Sequence, residues 1–186
     1  MKKDKRITKT EYNIKSALAT LLEKKKIEDI NVSELAKIAM ISRKTFYIHY
    51  NSVEEVLDKI KKETHDRLKL YIIKYDVVFD KIEEFVENFY KIIVDDEILV
   101  AMLSKTYFTR ELFMVINKSI IDGFLVKYED KIKESIPFKL TLEYNIHGCS
   151  RLFYSYINKQ EKSLDFQSFI NIVSTIIKQS LTPYVR

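Results

Sequence analysis

Glycine and proline are scarce in this chain of 186 residues, which contains only two of each. Strand-rich folds use both residues at their many turns, and the alternation of apolar and polar residues that marks a strand is also missing. The scarcity predicts an all-α fold of long helices joined by short connections. It also leaves no glycine-rich loop of the kind that binds phosphate groups.

Residues that carry metal and redox chemistry are few as well. Cys149 is the only cysteine, so an internal disulfide is excluded, and the three histidines, at positions 49, 65 and 147, lack the spacing of metal ligands. His147 and Cys149 lie two residues apart on a predicted helix and therefore point in different directions. No HExxH or nucleophile-elbow motif occurs. We expect no enzyme, no cofactor and no metal site.

A run of about 20 apolar residues, which a membrane-spanning helix requires, is absent too. The first residues, MKKDKRITKTEY, are basic but lack the apolar segment of a secretory signal. Apolar residues make up 46% of the chain, which is enough for a folded core. The sequence predicts a folded, cytoplasmic protein without a membrane partner.

The most informative segment that is present covers residues 27–57, IEDINVSELAKIAMISRKTFYIHYNSVEEVL. It predicts two short helices joined by a tight turn. Asn31 and Glu34, three residues apart, form the start of a capping box for the first helix, and Ser42 is placed to cap the second. This order of elements is typical of a helix-turn-helix.

The second of these helices has two different sides. Phe46 and Tyr50, four residues apart, face the core, whereas the opposite side carries Arg43, Lys44, Tyr47 and Ile48. The major groove of B-form DNA admits one helix, and a short helix presents its N-terminal residues to base edges when a second helix supports it. The pattern therefore indicates a helix that reads DNA.

A preceding helix completes the predicted three-helix core. Thr8 and Glu11 suggest a capping box at its start, and apolar residues follow at helical spacing, namely Ile14, Ala17, Leu18, Leu21 and Leu22. Charge is concentrated in the same part of the chain. Residues 1–50 hold 12 basic and six acidic residues, whereas the remainder holds 20 basic and 21 acidic ones. A solvated, lysine-rich surface is the alternative, but the asymmetry favours a module that is attracted to phosphates.

Residues 8–60 resemble the N-terminal domain of the TetR family of transcriptional regulators. The resemblance rests on Ile30-Asn31-Val32, Leu35-Ala36, Ala39-Met40-Ile41-Ser42, Thr45-Phe46-Tyr47, His49-Tyr50 and Glu54-Glu55-Val56-Leu57. Met40 replaces the family's turn glycine, so it either adopts a left-handed conformation or the turn is built differently. Val53 stands where many members carry a lysine that contacts a phosphate, and that contact is not carried over.

The resemblance implies a DNA-binding set made of Asn31, Ser33, Ser42, Arg43, Lys44, Thr45, Tyr47, Ile48 and His49. Thr45, Tyr47 and His49 are expected at or near the DNA backbone, and Arg43 and Lys44 are candidates for base contacts. For His49, core packing or a hydrogen bond at the helix end is an equal alternative to a phosphate contact. The implied partner is a double-stranded, palindromic operator.

The resemblance also implies the domain layout. A helix-turn-helix domain is expected at residues 1–52, and a helical ligand-binding and dimerisation domain at residues 53–186, with 53–74 as the connecting helix. The last two predicted helices, at about 137–158 and 165–182, resemble the pair with which family members form a four-helix dimer interface. A homodimer also follows from the DNA argument, because one short recognition helix buries little surface and a twofold pair reads two half-sites.

The part after Tyr50 holds most of the 23 tyrosines and phenylalanines. They are candidates to line a pocket for a small apolar or aromatic inducer, with core packing as the alternative for each one; the candidate walls are Phe85, Phe89, Met102, Phe108, Phe113, Phe124, Tyr128, Tyr144 and His147. The expected function is a repressor that such a ligand releases from its operator. An activator, a co-regulator controlled by a partner protein, and a non-specific architectural DNA-binding protein remain the alternatives.

Overall fold

The computed structural model describes residues 5–75, 81–105, 109–128 and 135–184. These residues form helices and connections and include no strand, as expected for an all-α protein, and none of their helices is long and apolar enough to cross a membrane. The α-helices are α1 (Lys5–Leu22), α2 (Val32–Ile38), α3 (Arg43–His49), α4 (Val53–Lys74), α5 (Ile82–Val94), α6 (Glu97–Lys105), α7 (Thr109–Tyr128), α8 (Ser135–Ile157) and α9 (Phe166–Leu181). Short 3-10 turns lie at Ile27–Asp29 and Thr182–Tyr184.

Helix α1 begins earlier than its sequence pattern indicated. It starts at Lys5, so Thr8 lies inside the helix and the capping box predicted for Thr8 and Glu11 is wrong. The residues before Thr8 include lysine and arginine, which are good helix formers, and nothing among them stops the helix. The Glu11 carboxylate binds a lysine of another helix instead.

The other predicted helix ends agree with the structure. Pro137 lies in the first turn of α8, and α9 ends at Leu181, two residues before Pro183. Helix α6 begins at Glu97, whose acidic side chain lies in its first turn, where the helix dipole favours it. The spacing of Val78, Ile82, Phe85 and Phe89 predicts one amphipathic helix; α5 begins at Ile82, and Val78 lies outside the described residues.

The described residues form two compact units. The first contains those up to Glu63 and from Glu97 to Leu112, and the second contains those from Thr64 to Asp96 and from Phe113 onward. The core of the first unit is built by α1, α2, α3, α6 and the first half of α4, with the fully or almost fully buried side chains Ile14, Leu18, Leu22, Leu35, Phe46, Val56, Leu99, Met102 and Leu103. The apolar stripe predicted for α1 is therefore confirmed.

The second unit is built by the second half of α4 with α5, α8, α9 and most of α7. Helix α9 packs against both α5 and α8. The core of the second unit consists of side chains that are less than a twentieth exposed, among them Leu68, Ile72, Phe89, Ile93, Phe138, Phe153, Phe169, Ile170 and Val173.

Within the second unit, α4 and α7 approach closely at Gly123. A Cβ added to this glycine would lie 3.0 Å from two side-chain atoms of Ile72, so the residue serves close helix packing. The Lys127 ammonium donates hydrogen bonds to the carbonyls of Ile72 and Tyr75 at the end of α4. These contacts fix the position of Ile72, which also lines a cavity described below.

Candidate nucleic-acid interface

Helix α2 is held at its N-terminus by side chains. The Asn31 carboxamide oxygen accepts a hydrogen bond from the Glu34 amide at 3.0 Å, as the capping box predicts. The Glu34 carboxylate, however, accepts hydrogen bonds from the Lys25 ammonium at 2.8 and 2.9 Å. The contact from Lys25 therefore holds the segment before α2 against the first turn of this helix. Leu35 and Ala36 of α2 face the core.

The turn between α2 and α3 is a Schellman motif built around Met40. The Met40 amide donates to the Lys37 carbonyl at 3.2 Å, and the Ile41 amide donates to the Ala36 carbonyl at 3.0 Å. This motif places its central residue in the left-handed region, and Met40 has a φ of 57°. Of the two alternatives that the sequence left open, the structure adopts the left-handed one, at a residue whose side chain is 91% exposed.

Replacing Met40 with glycine is expected to stabilise the protein. Glycine removes the left-handed strain of about 1–2 kcal/mol, and part of this gain is offset by its greater freedom in the unfolded chain. A net gain of about 0.5–1 kcal/mol corresponds to a rise in Tm of about 1–4 °C, which calorimetry measures. Lys159→Gly, at a φ of 51°, is the matched positive control. Lys37→Gly, inside α2, should lower the Tm, and an equal loss for Met40→Gly would contradict the argument.

Helix α3 is capped and anchored as the sequence predicts. The Ser42 hydroxyl oxygen accepts a hydrogen bond from the Thr45 amide at 3.0 Å and lies 2.8 Å from the Thr45 hydroxyl. Phe46 is completely buried and Tyr50 is 2% exposed, with their ring centroids 6.0 Å apart. Two aromatic anchors one turn apart fix the rotation of α3 and leave its opposite side exposed.

One carboxylate connects α3 with α1 and α4. The Glu11 carboxylate on α1 accepts a hydrogen bond from the Lys59 ammonium on α4 at 2.9 Å, and His49 Nδ1 on α3 lies 3.8 Å from the same oxygen. Burial acts to raise the pKa of Glu11, but the hydrogen bond from Lys59 and the charges of Lys59, Lys15 and His49 outweigh it and lower the pKa. The carboxylate is therefore held in its charged form.

Tyr50 lies next to this cluster. Burial raises the pKa of its hydroxyl to about 12, although the nearby Lys59 ammonium acts to lower it. The Lys59 ammonium lies 5.2 Å from the ring centroid. The buried ring of Tyr50 thus serves as a hydrophobic anchor.

The nine residues predicted to bind DNA lie on the helix-turn-helix, but not all of them face solvent. Asn31 and Ser33 at the start of α2 are exposed, as are Ser42, Arg43, Lys44, Tyr47 and Ile48, whereas Thr45 is half-buried. The His49 side chain is only 10% exposed and is directed towards Glu11, which favours the intramolecular alternative for this residue. Val53, for which no phosphate contact was expected, is 3% exposed and packs in the core.

The second unit encloses an apolar cavity of about 50 Å³. Its walls come from α4, α5, α7, α8 and α9, and the lining residues are Ile72, Ile82, Phe85, Val86, Phe89, Tyr90, Ile120, Phe124, Leu142, Asn145, Ile146, Cys149 and Ile177. The wall includes the side chain of Asn145, whose amide donates a hydrogen bond to the Ser180 hydroxyl at 2.5 Å. Burial raises the pKa of the Cys149 thiol to about 11, so the thiol is neutral.

Three of the nine predicted pocket residues, Phe85, Phe89 and Phe124, line this cavity. Met102 is buried in the first unit, Phe113 packs near Phe153 and Tyr154, and Tyr144 is 81% exposed. His147 is exposed, with its Nδ1 3.2 Å from the Asn117 amide nitrogen, while Cys149 on the same helix is buried, as their spacing predicts. Phe108 and the side chain of Tyr128 lie outside the described residues.

Most of the lining residues that were not predicted from the sequence have aliphatic side chains. Ile82 and Val86 lie on the same face of α5 as Phe85 and Phe89, so the helical spacing of the stripe contained that information. Leu142, Ile146 and Cys149 form a second stripe at spacings of four and three residues on α8.

A different face of α8 exposes apolar side chains at a spacing of four residues. Ile136, Leu140 and Tyr144 are 70%, 59% and 81% exposed, and Gly148 continues the row with no atom within 4 Å of an added Cβ. On α9, Ile172 is 42% exposed. Large apolar side chains repeated along one exposed helix face are typical of a surface that another molecule covers.

The first unit thus presents a capped, anchored helix with cationic and aromatic residues on its free side, which is the arrangement of a helix-turn-helix protein. Among solved structures, the fatty acid degradation regulator FadR from Bacillus halodurans is similar, with 18% identity, coverage of 100% of both chains and a TM-score of 0.65. A TetR transcriptional regulator from Streptococcus agalactiae is 22% identical over 99% of this chain and 98% of its own, with a TM-score of 0.58.

DhaS, an activator of a dihydroxyacetone kinase operon, is 18% identical over 95% of this chain and 98% of its own, with a TM-score of 0.56. No protein-family model matches the sequence, and no curated protein matches it either. At these identities the likeness establishes the fold, and the predicted fold is confirmed. The chain has the all-α fold of TetR-family regulators.

Proposed function

We propose that this protein is a sequence-specific, DNA-binding transcriptional regulator. The observation that carries the proposal is the free side of α3, where Arg43, Lys44, Tyr47 and Ile48 are all exposed on a helix that Ser42, Phe46 and Tyr50 hold in place. Arginine and lysine at the N-terminus of such a helix suit contacts to guanine edges and phosphates. The excess of basic residues in the first 50 supports an attraction to DNA.

The proposed active form is a homodimer on a palindromic operator. The exposed row of Ile136, Leu140 and Tyr144 on α8, with Ile172 on α9, supports pairing through the last two helices. In a twofold dimer each of these residues is buried in both protomers. The two recognition helices then reach successive half-sites of the duplex.

The cavity supports control by a small ligand. Its wall of aliphatic and aromatic side chains, with one carboxamide, suits a small apolar or aromatic molecule that enlarges the cavity as it binds. Helix α4 contributes Val56 to the core of the first unit and Ile72 to the cavity wall of the second. A ligand that prefers one position of α4 would lower operator affinity by its differential affinity for the two states.

Two directions of regulation are compatible with this proposal. Repression relieved by a ligand is the preferred form, and the repressor AlkX is among the similar structures, with 14% identity and a TM-score of 0.53. The operon activator DhaS is also similar, so activation or control by a partner protein is the second candidate.

Fluorescence anisotropy with the purified protein tests the proposal. The probes are duplexes from the region upstream of the protein's own gene and a scrambled duplex, each titrated across a salt series. A regulator of its own gene binds the upstream duplex with a preference of at least about 10³-fold. Equal affinities that fall steeply with salt identify phosphate binding alone and favour the architectural alternative, unless selection from random-sequence DNA enriches a motif.

A further inference from the structure

Helix α3 exposes an aliphatic side chain that the fold does not require. Ile48 is 73% exposed, whereas Phe46 and Tyr50 on the other side of the helix are buried. The capping and anchoring contacts of α3 involve Ser42, Thr45, Phe46 and Tyr50, and Ile48 takes part in none of them. Its side chain is therefore available to a partner.

The free side of α3 has a restricted set of functional groups. The helix reads RKTFYIH and contains no asparagine, glutamine, aspartate or glutamate. It therefore lacks the side chains that pair with adenine through a carboxamide or with cytosine through a carboxylate. Arg43 and Lys44 suit guanine, and apolar groups suit the 5-methyl group of thymine, which is the apolar feature of the major groove.

We infer that Ile48 is a specificity-determining residue that reads the 5-methyl group of a thymine in each operator half-site. This inference rests on the proposed function and adds the chemical group that is recognised. A β-branched side chain in a helix has one strongly preferred χ1 rotamer, so Ile48 loses little freedom when it packs against a methyl group.

The spacing along the helix locates this thymine. Ile48 lies four residues after Lys44, on the same strip of the helix, and four residues span about 6 Å. Base pairs are about 3.4 Å apart along the duplex. The thymine methyl read by Ile48 is therefore expected about two base pairs from the base that Lys44 contacts.

Replacement of thymine by deoxyuridine tests this assignment, because it removes only the methyl group and preserves base pairing. The operator is first recovered by selection from random-sequence DNA, and each thymine of its half-site is then replaced in turn. Loss of one buried methyl contact lowers affinity about fourfold when one half-site is changed and about 15-fold when both are changed. Anisotropy titrations measure both effects.

Ile48→Ala identifies the residue responsible. This variant is expected to bind two operators with equal affinity, one with thymine and one with deoxyuridine at the position that Ile48 reads. The wild-type protein is expected to bind the thymine operator more tightly. Ile38→Ala, which truncates a 40% exposed isoleucine on α2, is the matched control and retains the discrimination. Because both side chains are exposed, the variants keep the fold, and circular dichroism verifies this.

The outcomes separate this inference from the proposed function. If selection enriches a motif but replacement by deoxyuridine changes the operator affinity at no position, the inference is overturned and the proposed function stands. The same conclusion holds if Ile48→Ala still distinguishes the two bases, or if Tyr47→Ala alone removes the difference. If selection enriches no motif at all, the proposed function fails and the inference fails with it.

Discussion

Arg43→Ala is expected to weaken binding to the operator by about 30-fold to more than 10⁴-fold while leaving binding to scrambled DNA almost unchanged. A bidentate contact from arginine to guanine contributes about 1–3 kcal/mol of discrimination. A twofold dimer makes the contact twice, so the loss is about 2–6 kcal/mol. The side chain is exposed and α3 keeps its Ser42 cap, so the loss reports recognition rather than unfolding.

The salt dependence of binding distinguishes the roles that Arg43 can play. Loss of a base contact reduces the preference for the operator, whereas loss of a phosphate contact weakens all duplexes equally and reduces the salt slope by about one per protomer. Arg110→Ala, which removes an exposed arginine from α7, is the control for net charge. An Arg43→Ala protein that keeps the full preference for the operator would exclude Arg43 as a base-reading residue.

Leu140→Asp is expected to convert the proposed dimer into monomers at micromolar concentration. Leu140 lies in the middle of the exposed row on α8 and is 59% exposed in the single chain. Burial of this exposed part in both protomers contributes about 2–3.5 kcal/mol, and two carboxylates in the interface add a desolvation cost. The dissociation constant of the dimer should therefore rise at least about 100-fold, which sedimentation equilibrium measures.

Val126→Asp is the matched control for this substitution. Val126 is 60% exposed and belongs to α7 rather than to the two helices of the proposed interface, so its replacement should leave the dimer intact. Operator affinity is expected to fall with Leu140→Asp, because a monomer reaches only one half-site. A Leu140→Asp protein that remains a dimer would place the interface elsewhere, and a monomeric wild type would overturn the dimer proposal itself.

The helix-turn-helix was predictable in detail because its determinants are local. Capping by Asn31 and Ser42 depends on residues three positions away, and the burial of Phe46 and Tyr50 follows from their spacing on one helix. The same holds for the long helices of the second unit, whose ends are set by residues such as Pro137 and Pro183. The turn at Met40 was only partly predictable, because the left-handed conformation became certain with the backbone geometry.

Contacts between residues distant in sequence could not be predicted in the same way. Glu11 was assigned to a capping box, but its partner is Lys59, 48 residues away, and His49 turns to the same carboxylate. Tyr144 was assigned to a pocket by its residue type, yet it lies on the exposed face of α8. Helical periodicity groups residues into faces, but it does not say which face meets which neighbour.

Spacing and composition within a few turns of helix were enough to predict the all-α class, the helix-turn-helix, its free face and the concentration of positive charge. The packed structure was needed to learn which side chains line the cavity, which row of α8 stays exposed and which carboxylate holds α1, α3 and α4 together. Those features depend on how helices separated by many residues pack, and packing is set by the shapes of all the side chains that meet.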